Sequence, residues 1–285
     1  MTDRHSDITK FSYFSYRSLK KRLGEFDAVV ECNEIAIREF IEKSKTTDTK
    51  KYIQELSSKH KVKVDEVDFI KFSSRIRQYY VSSVFQQSEQ FFADFQEEFK
   101  KYNDEKVWIQ VKTGETKLHN LLINVFGTEQ NIESAISKDI QICYNYYRLV
   151  RNYMAHTDRD IKELTKLHNE IISNDNEFLQ QLNLSGLPNK YYEINFEDFR
   201  FITNIIKHIA YIICINSKPD NERIAQILFE KSKENKKAIY NRIKKTKNDK
   251  IRYTNAIENL VKTNFGRFST KDKLEVTEKL KSLLA

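Results

Sequence analysis

The chain has 285 residues and a formal net charge of +8, and 39% of its residues are hydrophobic. Its 19 phenylalanines and 15 tyrosines supply apolar surface for a core, which excludes a disordered chain. It has only 5 glycines and 2 prolines, and neither a dinucleotide-binding nor a P-loop glycine motif occurs. Because turn-rich β folds and phosphate-binding loops need glycine, this composition argues against them. We therefore expect an all-α protein.

The cysteines and the apolar segments indicate the compartment. Cys32, Cys143 and Cys214 are far apart and odd in number, which disfavours a disulfide framework and a Cys-x-x-Cys zinc site. Residues 1–12 lack the apolar segment of a signal peptide, and the most apolar run, residues 201–215, is too short to span a bilayer. We expect a cytoplasmic protein that does not contact a membrane.

The positive charge is concentrated in the last quarter of the chain. Residues 217–285 hold 18 basic and 9 acidic side chains, whereas residues 1–216 hold 31 and 32. A basic block of this kind can bind nucleic-acid phosphates, although a solvated lysine-rich helix face has the same composition. The residues that we predict to bind RNA are Lys236, Lys237, Arg242, Lys244, Lys245 and Lys247.

Apolar residues recur at helical spacing along most of the first half of the chain. The predicted helices there span residues 19–43, 52–58, 66–99, 115–126 and 133–155. Asp65 is expected to be the N-cap of the third helix, and Gly127 to end the fourth. Between these two helices, residues 103–112 are predicted to form a loop in which Trp108 packs on the core.

The second half is also predicted to be helical, with one clear connection at residues 185–195. The predicted helices span residues 160–173, 197–216, 221–247, 252–263 and 270–284. Pro219 is expected at the first helical position, and Ser269 is expected to cap the last helix, just after Gly266. The change in charge and Pro219 together predict three segments, at residues 1–64, 65–216 and 217–285.

One stretch, from Tyr146 to Asp158, contains residues suited to catalysis. Asn152 and His156 are four residues apart and share a helix face, whereas Arg151 and His156 lie about 140° apart on a straight helix. Arg151 and His156 can act on one group if the helix ends near His156, if the arginine reaches across, or if two copies face each other. Thr157 and Asp158 are suitable N-caps for a following helix, which favours a helix end near His156.

These side chains suit metal-independent cleavage of RNA by the ribose 2′-hydroxyl. Histidine, with an ordinary pKa of about 6.5, exchanges protons near neutral pH, and arginine offers a charged fork of donors to a phosphorane. Asn152 is expected to orient either group. His119, His168 and His208 share no spacing and are expected to be structural or exposed. We therefore expect neither a catalytic metal nor a cofactor.

The Arg-x4-His spacing, the Asn after the Arg and the aromatic-rich helix before it resemble the signature of the HEPN superfamily (higher eukaryotes and prokaryotes nucleotide-binding). The resemblance covers roughly residues 67–216. It implies an antiparallel helical bundle, here with an extra N-terminal helix and a small basic C-terminal helical region. It also implies a homodimer whose signature helices form one composite site. Many members are ribonucleases of toxin–antitoxin, abortive-infection or CRISPR systems, so it implies RNA as substrate and an antitoxin or defence-system partner.

Family roles pass to four residues of this chain. Arg151 and His156 match the catalytic pair, and Asn152 matches the polar residue after the arginine. Glu89 is the candidate for an acidic residue that members often carry on the preceding long helix. Toxins silenced by a nucleotidyltransferase antitoxin carry a tyrosine two residues after the histidine; Asp158 stands there, so control by adenylylation is not expected.

Three alternatives to catalysis remain open. Arg151 can be a structural arginine that binds carbonyl groups near a helix end, and Glu89 a solvated or salt-bridged glutamate. The whole chain can be a non-catalytic module for dimerisation and for binding nucleic acid or protein. The C-terminal helices can form a helix-turn-helix that presents Arg252, Asn255, Lys262 and Arg267 to DNA, although no turn signature supports this.

Overall fold

The protein is all-α. The computed structural model describes residues 9–103, 107–110, 115–156, 161–174, 177–184, 186–234 and 238–284. The described residues form thirteen α-helices: α1 (Phe14–Thr46), α2 (Thr49–His60), α3 (Phe69–Tyr102), α4 (Lys117–Phe126), α5 (Glu129–Ala135), α6 (Lys138–Ala155), α7 (Lys162–Ser173), α8 (Phe178–Gln181), α9 (Phe196–Asn216), α10 (Asn221–Glu234), α11 (Ala238–Lys245), α12 (Lys250–Phe265) and α13 (Thr270–Leu284). Tyr191–Glu193 forms a short 3-10 helix.

Two predicted helix ends and the predicted packing of Trp108 are confirmed. Gly127 follows α4 with φ +82°, and its N–H donates to the carbonyl of Ile123. Ser269 caps α13, since its hydroxyl accepts a hydrogen bond of 3.1 Å from the N–H of Asp272. Trp108 is half-buried with its ring edge-on to Phe99. These features depend on residues close in sequence, which is why local patterns predict them.

Two predicted N-termini are wrong. Asp68, not Asp65, caps α3, because its carboxylate accepts hydrogen bonds of 3.0 Å from the N–H groups of Ile70 and Lys71. Asp65 instead forms an exposed ion pair with Lys63. Pro219 does not start α10, because Asp220 caps this helix by accepting a 2.7 Å hydrogen bond from the N–H of Arg223. In both cases an acidic side chain lies next to the first helical residue and takes the cap.

The predicted helix at residues 133–155 is divided in two. The predicted helix at residues 221–247 corresponds to α10 and α11, and residues 235–237 between them lie outside the described residues. Ile136 and Ser137 separate α5 from α6, and the hydroxyl of Ser137 accepts a hydrogen bond from the N–H of Ile140. The buried side chains of Ile132 and Ile136 continue the apolar pattern across this break. Periodicity alone therefore could not locate it.

A small sheet was not predicted. The strands β1 (Lys10–Phe11) and β2 (Gly266–Arg267) pair antiparallel, with Phe11 opposite Gly266. Gly266 has φ +86°, and a Cβ there would lie 2.7 Å from the carbonyl oxygen of Lys10, so this position requires glycine. Strands of two residues are too short to give an alternating pattern.

The chain divides into two compact units. Unit 1 contains Met1–Ser18, Phe91–Ile132 and Ala210–Ala285, and unit 2 contains Leu19–Gln90 and Glu133–Ile209. All four HEPN-type candidate residues belong to unit 2, and the basic C-terminal residues belong to unit 1. The three sequence segments named above stay a prediction.

Buried residues of α3, α6 and α9 form much of the core of unit 2. The residues buried there are Tyr80, Val81, Val84 and Phe85 of α3, Tyr144, Tyr146, Tyr147 and Val150 of α6, and Phe199, Ile202, Ile205 and Ile206 of α9. The apolar character of α9 correctly predicts its place in the core. Within the described residues, no helix combines the length and apolar character needed to cross a membrane.

Candidate functional site

The site lies where α3 and α6 pack against each other. The rings of Phe85 and Tyr144 have centroids 4.8 Å apart, and the hydroxyl of Ser82 donates to the sulfur of Met154 at 3.3 Å. The Phe85 and Tyr144 side chains are buried. Because close packing leaves little freedom in such contacts, they fix the part of α6 that carries the signature residues.

Arg151 is held by two of the predicted site residues. Its Nη1 donates to Oδ1 of Asn152 at 3.0 Å, and its Nη2 lies 3.4 Å from Oε2 of Glu89 on α3. About a third of each charged side chain is exposed, 38% for Arg151 and 30% for Glu89. The guanidinium is thus oriented by protein groups, and part of the Arg151 side chain is exposed to solvent.

His156 lies immediately beyond the end of α6. Its N–H completes the last helical hydrogen bond, to the carbonyl of Asn152 at 3.0 Å, but its φ of −137° and ψ of 89° leave the helix. The residue is exposed, and its imidazole makes no hydrogen bond or ion pair with the described part of the chain. The end of α6 at His156 thus meets one of the three conditions under which Arg151 and His156 can act on one group. Thr157 and Asp158 lie outside the described residues.

The phenol of Tyr144 lies near Ser88 and Glu89. Tyr144 is almost fully buried, and Ser88 is hydrogen-bonded to it. Burial raises the pKa of Tyr144 above its ordinary value, and the neighbouring charge of Glu89 acts in the same direction. Tyr144 is therefore a neutral phenol and not a proton acceptor near pH 7.

A buried carboxylate that the sequence analysis missed also holds α6. Asp198 of α9 accepts hydrogen bonds of 2.8–2.9 Å from the backbone N–H and side-chain amide of Asn189, the N–H of Asn195, and the hydroxyl of Tyr147. Tyr147 is one helical turn before Arg151. The sequence signal was present, because Asn195 and Asp198 have the spacing of a helix-capping box.

The predicted RNA-binding residues are only partly described. Lys236 and Lys237 lie outside the described residues, and Arg242 lies on α11, although its side chain is not described. Lys244 and Lys245 end α11, and Lys247 follows in a turn; all three are exposed. Of the proposed DNA-binding face, Arg252, Asn255 and Lys262 are exposed on α12, whereas Arg267 lies on β2.

The other histidines have ordinary structural surroundings. His168 is buried, and its Nε2 lies 3.0 Å from the carbonyl oxygen of Pro188. His119 lies between Glu115 and Glu129, and burial lowers the pKa of His208. Among the described residues, no group of three or more His, Cys, Asp or Glu side chains could hold a metal ion.

Comparisons with known proteins do not assign this geometry to a family. No family model matches the chain, and neither a curated protein nor a solved structure matches it. The function is therefore inferred from the residues of this chain and from their placement.

Proposed function

We propose that this protein is a metal-independent endoribonuclease of the HEPN type. The observation that supports it most is the placement of Arg151 against Glu89 and Asn152, with His156 just past the end of the same helix. A structural arginine would be buried or would bind helix carbonyls. Arg151 instead binds an amide oxygen and a carboxylate, and 38% of its side chain is exposed.

In the proposed reaction the ribose 2′-oxygen attacks the adjacent phosphorus while the bond to the 5′-oxygen breaks. One His156 imidazole takes the 2′-hydroxyl proton, and a protonated one, from the second copy in a homodimer, protonates the leaving 5′-oxygen. Arg151 donates to the phosphorane oxygens as negative charge develops, and Glu89 and Asn152 keep the guanidinium in place. The products are a 2′,3′-cyclic phosphate and a 5′-hydroxyl. General acid–base groups and charged donors of this kind each contribute about 100-fold or more.

The basic C-terminal residues fit this activity. The exposed Lys244, Lys245 and Lys247 would bind RNA phosphates together with Lys236, Lys237 and Arg242. A ribonuclease that cuts host RNA needs control, so the proposal includes a role in toxin–antitoxin or antiphage defence in the cytoplasm and an antitoxin or defence-system partner.

A second candidate is a non-catalytic module for dimerisation and for binding nucleic acid or protein. The observation in its favour is that Arg151 is already hydrogen-bonded within the chain, while the His156 imidazole makes no hydrogen bond or ion pair with the described residues. This candidate predicts RNA binding that weakens steeply with salt and yields no products.

The test is an RNA cleavage assay in EDTA on total RNA and transfer RNA. Wild type should give discrete fragments whose 5′ ends accept phosphate from a polynucleotide kinase without prior dephosphorylation. Arg151→Ala and His156→Ala should each lower the rate at least about 100-fold. Arg200→Ala is the matched control, because Arg200 is an exposed arginine of unit 2 paired only at the surface with Glu197.

Two results would contradict catalysis at this site. Cleavage that persists in both Arg151→Ala and His156→Ala would place the activity elsewhere. RNA binding by wild type without products, at every RNA tested, would favour the non-catalytic module.

A further inference from the structure

The two helices that carry the candidate site have long stretches without an acidic residue. Residues 69–88 of α3 and residues 140–155 of α6 contain no Asp or Glu, although 41 of the 285 residues of the chain are acidic. Glu34 of α1 and Asp198 of α9, which contact these helices, are buried and hydrogen-bonded. A surface with this charge favours a polyanion such as RNA. The basic residues of the two stretches are Lys71, Arg75, Arg77, Arg148 and Arg151.

Arg75 carries a charge on this surface that no carboxylate balances. The residue is exposed and makes no ion pair with the described residues. Its Nη1 donates to two neutral groups, Oη of Tyr191 at 3.4 Å and Oε1 of Gln78 at 3.3 Å. The side-chain amide of Gln78 also donates to the carbonyl of Tyr191 at 2.8 Å, which ties α3 to the 3-10 helix. Arg75 is therefore positioned by the protein and keeps its charge for an anionic ligand.

Two exposed tyrosines accompany Arg75. Tyr79 and Tyr192 are each 63% exposed. Tyr79 follows Arg75 by four residues and so shares its face of α3. The ring of Tyr192 lies 5.0 Å from that of Tyr191, and the Tyr192 carbonyl accepts a 3.1 Å hydrogen bond from the hydroxyl of Ser74. Exposed aromatic rings beside a cation are the groups on which proteins stack unpaired bases.

This surface is joined to the end of α6. The ring of Tyr191 packs edge-on against that of Tyr153, with centroids 4.8 Å apart. Tyr153 precedes His156 by three residues, and residues three apart are neighbours on a helix. Ring-to-ring distances of 4.8 and 5.0 Å thus lead from Tyr153 to the exposed ring of Tyr192. The path is no longer than about three stacked nucleotides, at about 3.4 Å each.

One acidic residue, Glu193, follows Tyr192 in the 3-10 helix. It forms no ion pair with Arg75. Side chains one residue apart on a 3-10 helix point about 120° apart. Burial, and after it the charges of Asp198 and Glu193, raises the pKa of Tyr146, which lies two turns before Tyr153 on α6. The Glu193 carboxylate thus acts on an earlier turn of α6 than the one beside His156.

We propose that Arg75, Tyr79 and Tyr192, all in unit 2, form a binding surface for unpaired nucleotides of the RNA next to the bond that is cut. The tyrosine rings stack on bases, and Arg75 binds a phosphate. Because bases inside a duplex are already paired and stacked, this surface selects single-stranded segments and loops. The inference rests on the proposed ribonuclease function for the position of the cut, whereas the surface itself is measurable as binding.

The first experiment measures binding of the full chain, as His156→Ala in EDTA, to a fluorescent uridine octamer and to an abasic octamer with the same sugar–phosphate backbone. Tyr79→Ala with Tyr192→Ala should weaken binding of the uridine octamer about tenfold or more. The same pair should leave binding of the abasic octamer unchanged, since no base remains to stack. Unchanged binding of the uridine octamer, or an equal loss for both octamers, would overturn the proposal.

Two control variants separate stacking from folding. Tyr79→Phe with Tyr192→Phe keeps both rings and should bind the uridine octamer within about twofold of the unsubstituted tyrosines. Ile172→Ala removes a side chain that is 52% exposed on α7 and should not change binding. A loss in the phenylalanine pair as large as in the alanine pair would contradict stacking.

The role of Arg75 is tested through salt. Arg75→Ala should weaken binding of both octamers and reduce the slope of log affinity against log salt concentration by about 0.7, the value for one phosphate contact on a single strand. Arg200→Ala, at an exposed arginine of α9, should leave the slope unchanged. An unchanged slope in Arg75→Ala would contradict a phosphate contact there.

A cleavage assay distinguishes failure of this inference from failure of the proposed function. The protein with His156 intact should cut a hairpin RNA in its loop and leave a fully paired duplex of the same sequence uncut. Equal cutting of both, or cutting of the hairpin that is unaffected by Tyr79→Ala with Tyr192→Ala, would overturn the inference and leave the ribonuclease in place. Tyrosine-dependent binding of the uridine octamer without cutting of any RNA would instead contradict the ribonuclease and support the binding surface.

Discussion

Among the described residues of unit 2, two arginine–glutamate pairs involve α3, and they differ in hydrogen-bond geometry and in exposure to solvent. In the first, Arg77 donates from Nη2 to Oε1 of Glu34 at 2.7 Å and from Nε to Oε2 at 3.1 Å, and only 16% and 4% of the two side chains are exposed. In the second, Arg151 approaches Glu89 to 3.4 Å with about a third of each side chain exposed. A buried bidentate pair is committed to the fold, whereas a longer, solvated pair leaves its arginine able to turn toward a phosphate.

The charge of Glu34 is maintained by its neighbours. Burial by itself would raise the pKa of Glu34, but hydrogen bonds from Arg77 and Arg38 hold that pKa below its ordinary value. Glu34 is therefore ionised at neutral pH although almost no solvent reaches it. Arg77 and Arg38 are in turn ion-paired with Glu34.

The largest expected effect is the loss of this buried carboxylate. Glu34→Ala leaves the Arg77 guanidinium without its partner in a nearly solvent-free position, which should lower the free energy of unfolding by about 3 kcal/mol. Urea denaturation followed by circular dichroism measures this change. Glu39→Ala, at an exposed glutamate of the same helix, should change it by less than about 0.5 kcal/mol. A similar small change in Glu34→Ala would mean that the buried pair does not stabilise the fold.

A smaller effect is expected from pH. Because the folded-state pKa of Glu34 lies below its unfolded value of about 4.3, its contribution is fully present above that value and is lost as pH falls through the folded pKa. Wild type should thus be more stable than Glu34→Gln at pH 7, and the difference should shrink below about pH 4. Unfolding curves of both proteins from pH 3 to 7 measure it. A difference that stays constant over this range would contradict an ionised Glu34.

The sequence predicts those parts of the fold that depend on near neighbours. The apolar residues of α9, Gly127 after α4, and Ser269 before α13 are all recognisable within a few positions. The sheet is not, because Lys10 and Arg267 pair across almost the entire chain. The division at Ile136 also escapes, because the buried face continues across it.

In the candidate site, too, the sequence predicts the local features and misses the contacts between distant residues. The spacing of Arg151, Asn152 and His156 lies within one helix and can be interpreted directly. The 3.4 Å approach of Glu89 joins residues 62 positions apart, and only the resemblance to a family suggested it. The hydrogen bonds of Asp198 to Asn189 and Tyr147 depend on how α6 and α9 pack, so the sequence around Asp198 does not indicate that this residue holds α6.

The smallest change in stability is expected for the exposed pair of Arg151 and Glu89, in contrast to the buried pair of Arg77 and Glu34. Arg151→Ala and Glu89→Gln should each lower the free energy of unfolding by less than about 1 kcal/mol, because solvated ion pairs contribute little. Arg200→Ala, which removes a more exposed pair with Glu197, sets the scale for comparison in the same denaturation assay. If Arg151→Ala stays near that control, any loss of RNA cleavage in this variant reflects lost chemistry and not lost folding. A loss of 2 kcal/mol or more would instead make Arg151 a structural residue like Arg77, and it would remove the main support for an active site between α3 and α6.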